Sequence, residues 1–299
     1  MKFTILGTGS ATPITERRPS AAVLDLGNES LLFDCGEGTQ FQMLKYKIRF
    51  SRLKYILITH LHGDHYFGLI ALINTLNNTG RTEPLVLIGP HGLQDILSVQ
   101  LRYSQSALNY TIDYRTTSPT KAGEVYSNDK ISIHSLPLKH RIPCTGFLVS
   151  EKPALRKILA DKLPSDFPLP YFKMLKEGLD VEFNGKTYRN KDYTLPPEKP
   201  RKMAYCSDTI FDLDLPKYLL HVDLLYHEST FTKELSTRAG MTFHATAEQA
   251  ATIAKTAGAK QLIIGHFSSR YKDTTPFLLE AREIFSMTYL AEEGKTFRI

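Results

Sequence analysis

Within the seven residues from Thr59 to His65 stand three histidines and an aspartate: His60, His62, Asp64 and His65. They follow directly on the apolar run Tyr55-Ile56-Leu57-Ile58. A strand ending there delivers three imidazoles and a carboxylate to one point. Core packing has no use for so dense a set of ligands. Imidazole together with carboxylate suits zinc, and also manganese or iron. Four ligands in so tight a turn can serve two adjacent ions. Two such ions hold both the attacking and the leaving oxygen of a phosphodiester.

The elements that must position this turn are legible as short apolar runs alternating with helical patterns, which indicates an α/β layered domain. Strands are expected at Lys2 to Leu6, Ala21 to Leu26, Ser30 to Asp34, Tyr55 to Thr59, Leu85 to Ile88 and Gln261 to Gly265. Gly27-Asn28 marks a hairpin between the second and third. Helices are expected at about Thr39 to Lys45, Phe67 to Leu76 and Gly92 to Leu101, the last with Leu93, Ile96 and Leu97 at helical spacing. Thr246-Ala247-Glu248-Gln249 has the form of a capping box, opening a helix that Gly258 should stop. Four further polar residues each close an apolar run: His140 after Leu136-Pro137-Leu138-Lys139, Asp208 after Met203 to Cys206, Glu228 after Leu224-Leu225-Tyr226, and His266 after Ile263-Ile264-Gly265. Strand exits gather along one rim of a layered fold, where functional loops cluster. His91, His134, His221 and His227 are assigned structural roles, His134 on the opposite face of its strand from His140.

Composition bounds the rest. The 299 residues are 42% hydrophobic, enough for a sizeable core. No apolar run approaches the roughly 20 residues of a membrane span, and the N-terminus enters a strand pattern at once, so no signal peptide is expected. Three cysteines, Cys35, Cys144 and Cys206, with no CxxC, suit a reducing cytoplasm and exclude a disulfide framework. The net charge is +6. Between Glu151 and Lys202, twelve Lys/Arg stand against eight Asp/Glu, so two thirds of the net charge lies in about a sixth of the chain. The segment from 153 to 202 is also rich in proline, and its apolar residues are too scattered for a core layer. It is expected to be an inserted arm within a single domain spanning 1–299.

Several stretches carry a resemblance in a fixed order: Gly7-Thr8-Gly9-Ser10-Ala11-Thr12-Pro13, Phe33-Asp34-Cys35-Gly36-Glu37-Gly38-Thr39-Gln40, the histidine turn, His140, Ser207-Asp208-Thr209, His227-Glu228-Ser229-Thr230-Phe231, Phe243-His244-Ala245-Thr246 and Gly265-His266-Phe267-Ser268-Ser269-Arg270-Tyr271. Together they resemble the metallo-β-lactamase superfamily, and within it the short bacterial form of the ribonuclease Z family of tRNA 3′-processing endonucleases. The resemblance implies an αββα sandwich with the site at its edge. It implies two zinc ions per subunit, with manganese as the alternative. His60, His62 and His140 would hold one ion, Asp64, His65 and His266 the other, and Asp208 would bridge them. Asp64 would also serve the attacking water, and Glu228 with His244 would form an acid relay to the leaving oxygen. The substrate implied is precursor tRNA, not DNA or a membrane, cut to leave a 3′-hydroxyl.

In this family an insertion at the position of the 153–202 segment is a flexible exosite that clamps tRNA, and the enzyme is a homodimer in which one subunit's arm serves the other's site. Here the arm offers Tyr171, Lys173 and Lys176 as RNA contacts, an aromatic pair flanked by lysines suiting stacking and phosphate contact. Thr15 stands where many relatives have lysine, with Arg17 and Arg18 following as candidate RNA contacts. Serine at 207 replaces a common glycine, tolerable where the backbone needs no positive φ. The competing functions are another hydrolase of the same fold acting on a small phosphodiester or ester, and a catalytically silent RNA-binding protein. A remote basic arm argues against the first. The second would leave buried charged ligands uncompensated.

Overall fold

The structure, a computed structural model, describes all of residues 1–299. The chain divides into a larger unit, residues 1–126, 133–149 and 201–299, and a smaller one, residues 127–132 and 150–200. Two seven-stranded sheets form the frame. In spatial order the first has strands Thr296–Arg298, Lys2–Gly7, Ala21–Asp25, Ser30–Phe33, Leu53–Leu57, Leu85–Gly89 and Ile112–Thr116. The second has Thr288–Leu290, Leu262–Gly265, Leu224–Glu228, Lys202–Cys206, Cys144–Glu151, Ile131–Leu138 and Gly123–Ser127.

An aromatic layer joins the sheets. Phe3 and Phe33 come from the first, and Phe147, Tyr205 and Tyr226 from the second. Phe33 stacks on Tyr205 at 4.9 Å and Tyr205 on Tyr226 at 4.5 Å. Leu32, adjacent to Phe33, points the other way, into an apolar cluster that includes Leu69, Leu72, Ile73 and Leu97 of the helices Leu69–Asn78 and Leu93–Tyr103. Strands buried on both faces have continuous apolar sequences for this reason. The helices Ala247–Ala257 and Thr275–Ile284 pack on each other, and the first also lies against the second sheet. The order is thus helix, sheet, sheet, helix.

The strand directions explain where polar residues collect. Ser30–Phe33, Leu53–Leu57 and Leu85–Gly89 are mutually parallel, as are Lys202–Cys206, Leu224–Glu228 and Leu262–Gly265. Parallel neighbours end at the same edge, and ligands bind beyond the carboxyl ends of such strands. Asp34, His60, Asp208, Glu228 and His266 all occupy those ends.

The hairpin joining Ala21–Asp25 to Ser30–Phe33 forms with Asp25 opposite Ser30. The capping box at Thr246 and Gln249 is present in both directions, and Gly258 ends that helix in a left-handed conformation. The expected placement of His134 opposite His140 is corrected: the two are six residues apart, so strict alternation puts His134 on the same face as Leu136, Leu138 and His140. The strand breaks phase instead: Ile131, Ile133 and Ser135 are buried, then Leu136 and Leu138, which leaves His134 half-buried. No helix is long and apolar enough to cross a membrane.

The smaller unit corrects one expectation. Its apolar residues are not scattered. Phe167, Leu175, Val181 and Tyr188 are buried together, with Tyr171, Phe172, Phe183 and Tyr193 packed against them. Two short antiparallel pairs, Lys157–Ile158 with Thr194–Leu195 and Val181–Phe183 with Lys186–Tyr188, frame a helix at Leu169–Lys176. Six aromatics in some fifty residues supply the core that sparse aliphatics do not.

Candidate metal centre

The turn after Leu53–Leu57 is held by backbone contacts. Cys35 N–H donates to His65 O at 2.7 Å, and Gly68 N–H to Cys35 O at 2.9 Å. The approach requires glycine: a Cβ on Gly68 would lie 2.1 Å from Gly36 O, and one on Gly36 would lie 2.5 Å from Asp64 O. The loop after Ser30–Phe33 and the histidine turn are therefore one rigid piece.

Two sets of ligand atoms that share no residue result, and a third, Asp208, His244 and His266, overlaps both. His60, His62, His140 and Asp208 present theirs within 4.8 Å of one another, and so do Asp64, His65 and His266. His60 Nε2 and His140 Nε2 lie 3.0 and 3.2 Å from His62 Nδ1. Burial holds the pKa of each of these three rings below its ordinary value. Neutral rings keep the lone pairs a metal needs. Asp208 spans the two sets. Its Oδ2 lies 3.6 Å from His60 Nε2 and 3.8 Å from His140 Nε2, while Oδ1 lies 3.4 Å from His65 Nε2 and 3.3 Å from His266 Nε2. Asp64 Oδ2 is 3.3 Å from both His65 Nε2 and His266 Nε2.

Four imidazoles are anchored by the nitrogen facing away from this centre. His65 Nδ1 lies 2.8 Å from Asp34 Oδ2, His140 Nδ1 3.0 Å from Phe243 O, His60 Nδ1 3.0 Å from Thr59 Oγ1, and His266 Nδ1 2.8 Å from Thr230 Oγ1. Such partners fix the tautomer and leave Nε2 free for a cation. The two threonines relay onward: Thr59 donates its hydroxyl to Asp34 at 2.9 Å, and Thr230 donates to Glu228 at 2.7 Å. Two buried carboxylates thus support both halves.

Every ion pair of Asp34, Asp64, Asp208 and Glu228 is with a histidine. Burial works to raise the Asp64 and Asp208 carboxyls, but the surrounding imidazoles hold both well below the usual range. Burial opposes charge on His65 too, yet Asp208, Asp64 and Asp34 raise its pKa well above the ordinary value. Its Nε2 is nevertheless buried without a hydrogen-bond partner. A centre rich in carboxylate, with facing imidazole nitrogens and this orphaned ring atom, fits divalent cations. Asp34, Phe243 and His266, three of the seven non-glycine residues with positive φ (54°, 60° and 63°), stand at the site. Ser207 is not among the positive-φ residues, so serine costs nothing there.

His244 stands beside the centre, its ring 5.3 Å from that of His140 and 5.5 Å from that of His266. Glu228 Oε1 lies 2.8 Å from His244 Nδ1 and also accepts Thr209 N–H at 3.1 Å. His227 is buried and directed away, with Nδ1 2.7 Å from the Glu228 carbonyl oxygen. A cleft of about 890 Å³ opens over these groups, lined among others by Ser10 to Pro13, His62, Asp64, His140, Asp208, His244, His266 and Arg270.

The other candidate residues are dispersed. Arg17 turns inward, donating to Ser268 O at 3.1 Å and Tyr271 O at 2.7 Å, so it ties two loops together. Arg18 is exposed. Tyr171 packs on the rings of Phe167 and Phe183, whereas Lys173 and Lys176 are exposed. The roles of Asp34, Thr59 and Thr230 are not legible in the sequence pattern. The available signal for Asp34 was its place at a strand exit, which the other site residues share.

An αββα sandwich with this histidine and aspartate cluster at its edge defines a metallohydrolase of the metallo-β-lactamase fold. Residues 1–156 match the family model for the anti-Pycsar protein Apyc1. The chain is 46% identical over 297 residues to ribonuclease Z of Cytophaga hutchinsonii, covering 99% of this chain and 95% of that one. Its structure resembles that of human tRNase Z, short form, with a TM-score of 0.73 and 27% identity, covering 100% and 99% of the two chains. It shares a fold with YhfI of Bacillus subtilis, a metallo-β-lactamase fold protein, at a TM-score of 0.69 and 18% identity over 99% and 98% of the chains. The chain belongs to the ribonuclease Z family.

Proposed function

We propose that the protein is a divalent-metal-dependent endoribonuclease that removes the 3′ trailer of precursor tRNA by hydrolysing one phosphodiester. The observation that carries the hydrolytic reading is Asp208, whose two oxygens each face a separate set of ligand nitrogens at 3.3 to 3.8 Å. The RNA substrate is supported by kinship with proteins named ribonuclease Z and tRNase Z.

His60, His62 and His140 would hold one cation, and Asp64, His65 and His266 a second, with Asp208 shared. Zinc suits this donor set, with manganese the alternative. Bound cations would supply charge neutralisation at the phosphoryl oxygens and a lowered pKa for water. Asp64 orients the attacking water and takes its proton. His244, with Nδ1 engaged by Glu228, gives a proton from its other nitrogen to the departing 3′-oxygen. The phosphorus–O3′ bond breaks as the bond to water oxygen forms, and the trailer leaves with a 5′-phosphate. Burial resists charge on His244, but Glu228 carries its pKa up to about 9, so the acid is protonated near neutrality.

The 153–202 arm contributes tRNA contacts, with Lys173 and Lys176 exposed to make them. The enzyme acts as a homodimer in the cytoplasm, a compartment that suits its three free, buried cysteines. The ends of the products test the chemistry. Hydrolysis by water gives a 3′-hydroxyl on the tRNA. A 2′,3′-cyclic phosphate would instead mean attack by the neighbouring ribose hydroxyl and would overturn the proposed roles of Asp64 and His244.

A further inference from the structure

Arg17 is tied to the Ser268 and Tyr271 carbonyls. Arg141, Arg238 and Arg270 differ from it: all three line the cleft, all are exposed, and no hydrogen bond or ion pair within the protein holds any of their guanidinium groups. An arginine left unpaired at the mouth of a carboxylate-rich site is not explained by stability. Its planar fork suits a phosphate.

Their placement is specific. Arg141 directly follows His140, whose ring is fixed to the Phe243 carbonyl. Arg238 lies in the helix Ser236–Thr242 that runs into Phe243 and His244, and His244 N–H donates to Ala239 O at 2.9 Å. Arg238 is therefore carried by the helix that leads into the proposed acid, and Arg141 by the loop whose His140 is bonded to the residue preceding that acid. Arg270 enters from elsewhere, on the loop after His266, and Ser10 N–H bonds to Phe267 O in that region.

Chemistry gives this asymmetry a direction along the RNA. The group His244 protonates is the 3′-oxygen of the nucleotide retained on the tRNA. That nucleotide, and the phosphate on its 5′ side, must lie on the His244 side of the cut. We infer that Arg141 and Arg238 form an anion subsite for this phosphate, immediately upstream of the scissile one, and so fix which bond is presented to the centre. The inference rests on the proposed tRNA 3′-endonuclease activity.

The test is a mutant cycle between protein and substrate. Precursor tRNA is prepared with a single uncharged methylphosphonate at the phosphate 5′ of the retained terminal nucleotide, or at the first phosphate within the trailer. Wild-type enzyme, R141M, R238M and the Arg→Lys versions are compared, with thermal midpoints confirming the fold. R141M and R238M should each raise KM for unmodified substrate about tenfold, with a smaller change in kcat and a salt dependence shallower by about one unit of log–log slope. The lysine variants should recover much of this loss. The upstream methylphosphonate should cost the wild type about tenfold in kcat/KM, but the methionine variants less than twofold. The trailer methylphosphonate should cost all of them equally. Additive losses at the upstream phosphate, or unchanged KM in both methionine variants, would overturn the subsite. Failure of the wild type to cut unmodified precursor would instead overturn the underlying tRNA reading.

Discussion

Oδ2 of Asp34 lies 2.8 Å from Nδ1 of His65. The other oxygen accepts the Thr59 hydroxyl at 2.9 Å, and that hydroxyl oxygen faces His60 Nδ1 at 3.0 Å. One buried carboxylate thereby sets a histidine in each half of the site. In Asp34→Asn an amide cannot accept from both sides, and the two rings lose their fixed tautomers. Metal affinity is expected to fall about 10- to 100-fold, as for other partners behind metal ligands. Competition with a chromophoric chelator measures it. Wild-type affinity in the variant would show that Asp34 has no such role.

Glu228 sets the protonation of His244. The ring is charged below its pKa of about 9, so the proposed acid is protonated at neutral pH and loses its proton as pH rises through that value. Replacing Glu228 with Gln removes both the charge and the strong acceptor. The His244 pKa then falls, the basic limb of kcat moves to lower pH, and kcat near neutrality drops about 10²-fold. A basic limb that stays in place would assign it to another group.

The sequence exposed what depends on local pattern. The capping box at Thr246, the hairpin at Gly27-Asn28 and the strand exits at His140, Asp208 and His266 follow from residue type and spacing, and each is where the spacing placed it. What it hid depends on tertiary contact. Asp34 looks like any strand-end aspartate until His65, 31 residues away, closes on it. The arm's core is aromatic and local to the insertion, so no aliphatic periodicity announces it. The phase break at Ser135 and Leu136 interrupts the alternation along Ile131–Leu138 and has no signal in residue type.

Gly68 tests the rigidity of the metal turn. An alanine Cβ would lie 2.1 Å from the Gly36 carbonyl oxygen, a backbone atom that cannot swing aside. Gly68→Ala should cost about 1–3 kcal/mol, the usual range for overpacking. The thermal midpoint should fall by about 2–4 °C per kcal/mol, and metal affinity should fall with it. A midpoint at the wild-type value would mean that the two loops can separate freely.

The arm should matter to RNA and little to the remaining fold. Its apolar cluster is its own, and the strands Cys144–Glu151 and Lys202–Cys206, between which it is inserted, are neighbours in one sheet. Replacing residues 153–200 by a short glycine-serine link should preserve cooperative unfolding and raise KM for precursor tRNA at least about tenfold. Retention of wild-type KM would remove the arm from tRNA recognition.

The most direct test is a single-turnover assay with a precursor tRNA carrying a 3′ trailer, run with metal-loaded wild type and with Asp208→Ala, while bound metal is counted by mass spectrometry. Two ions per wild-type subunit and one cut are expected, giving tRNA with a 3′-hydroxyl and trailer with a 5′-phosphate. Loss of Asp208 should lower the metal count and abolish the cut. Intact precursor with folded, metal-loaded wild type, or full cleavage by Asp208→Ala, would contradict it.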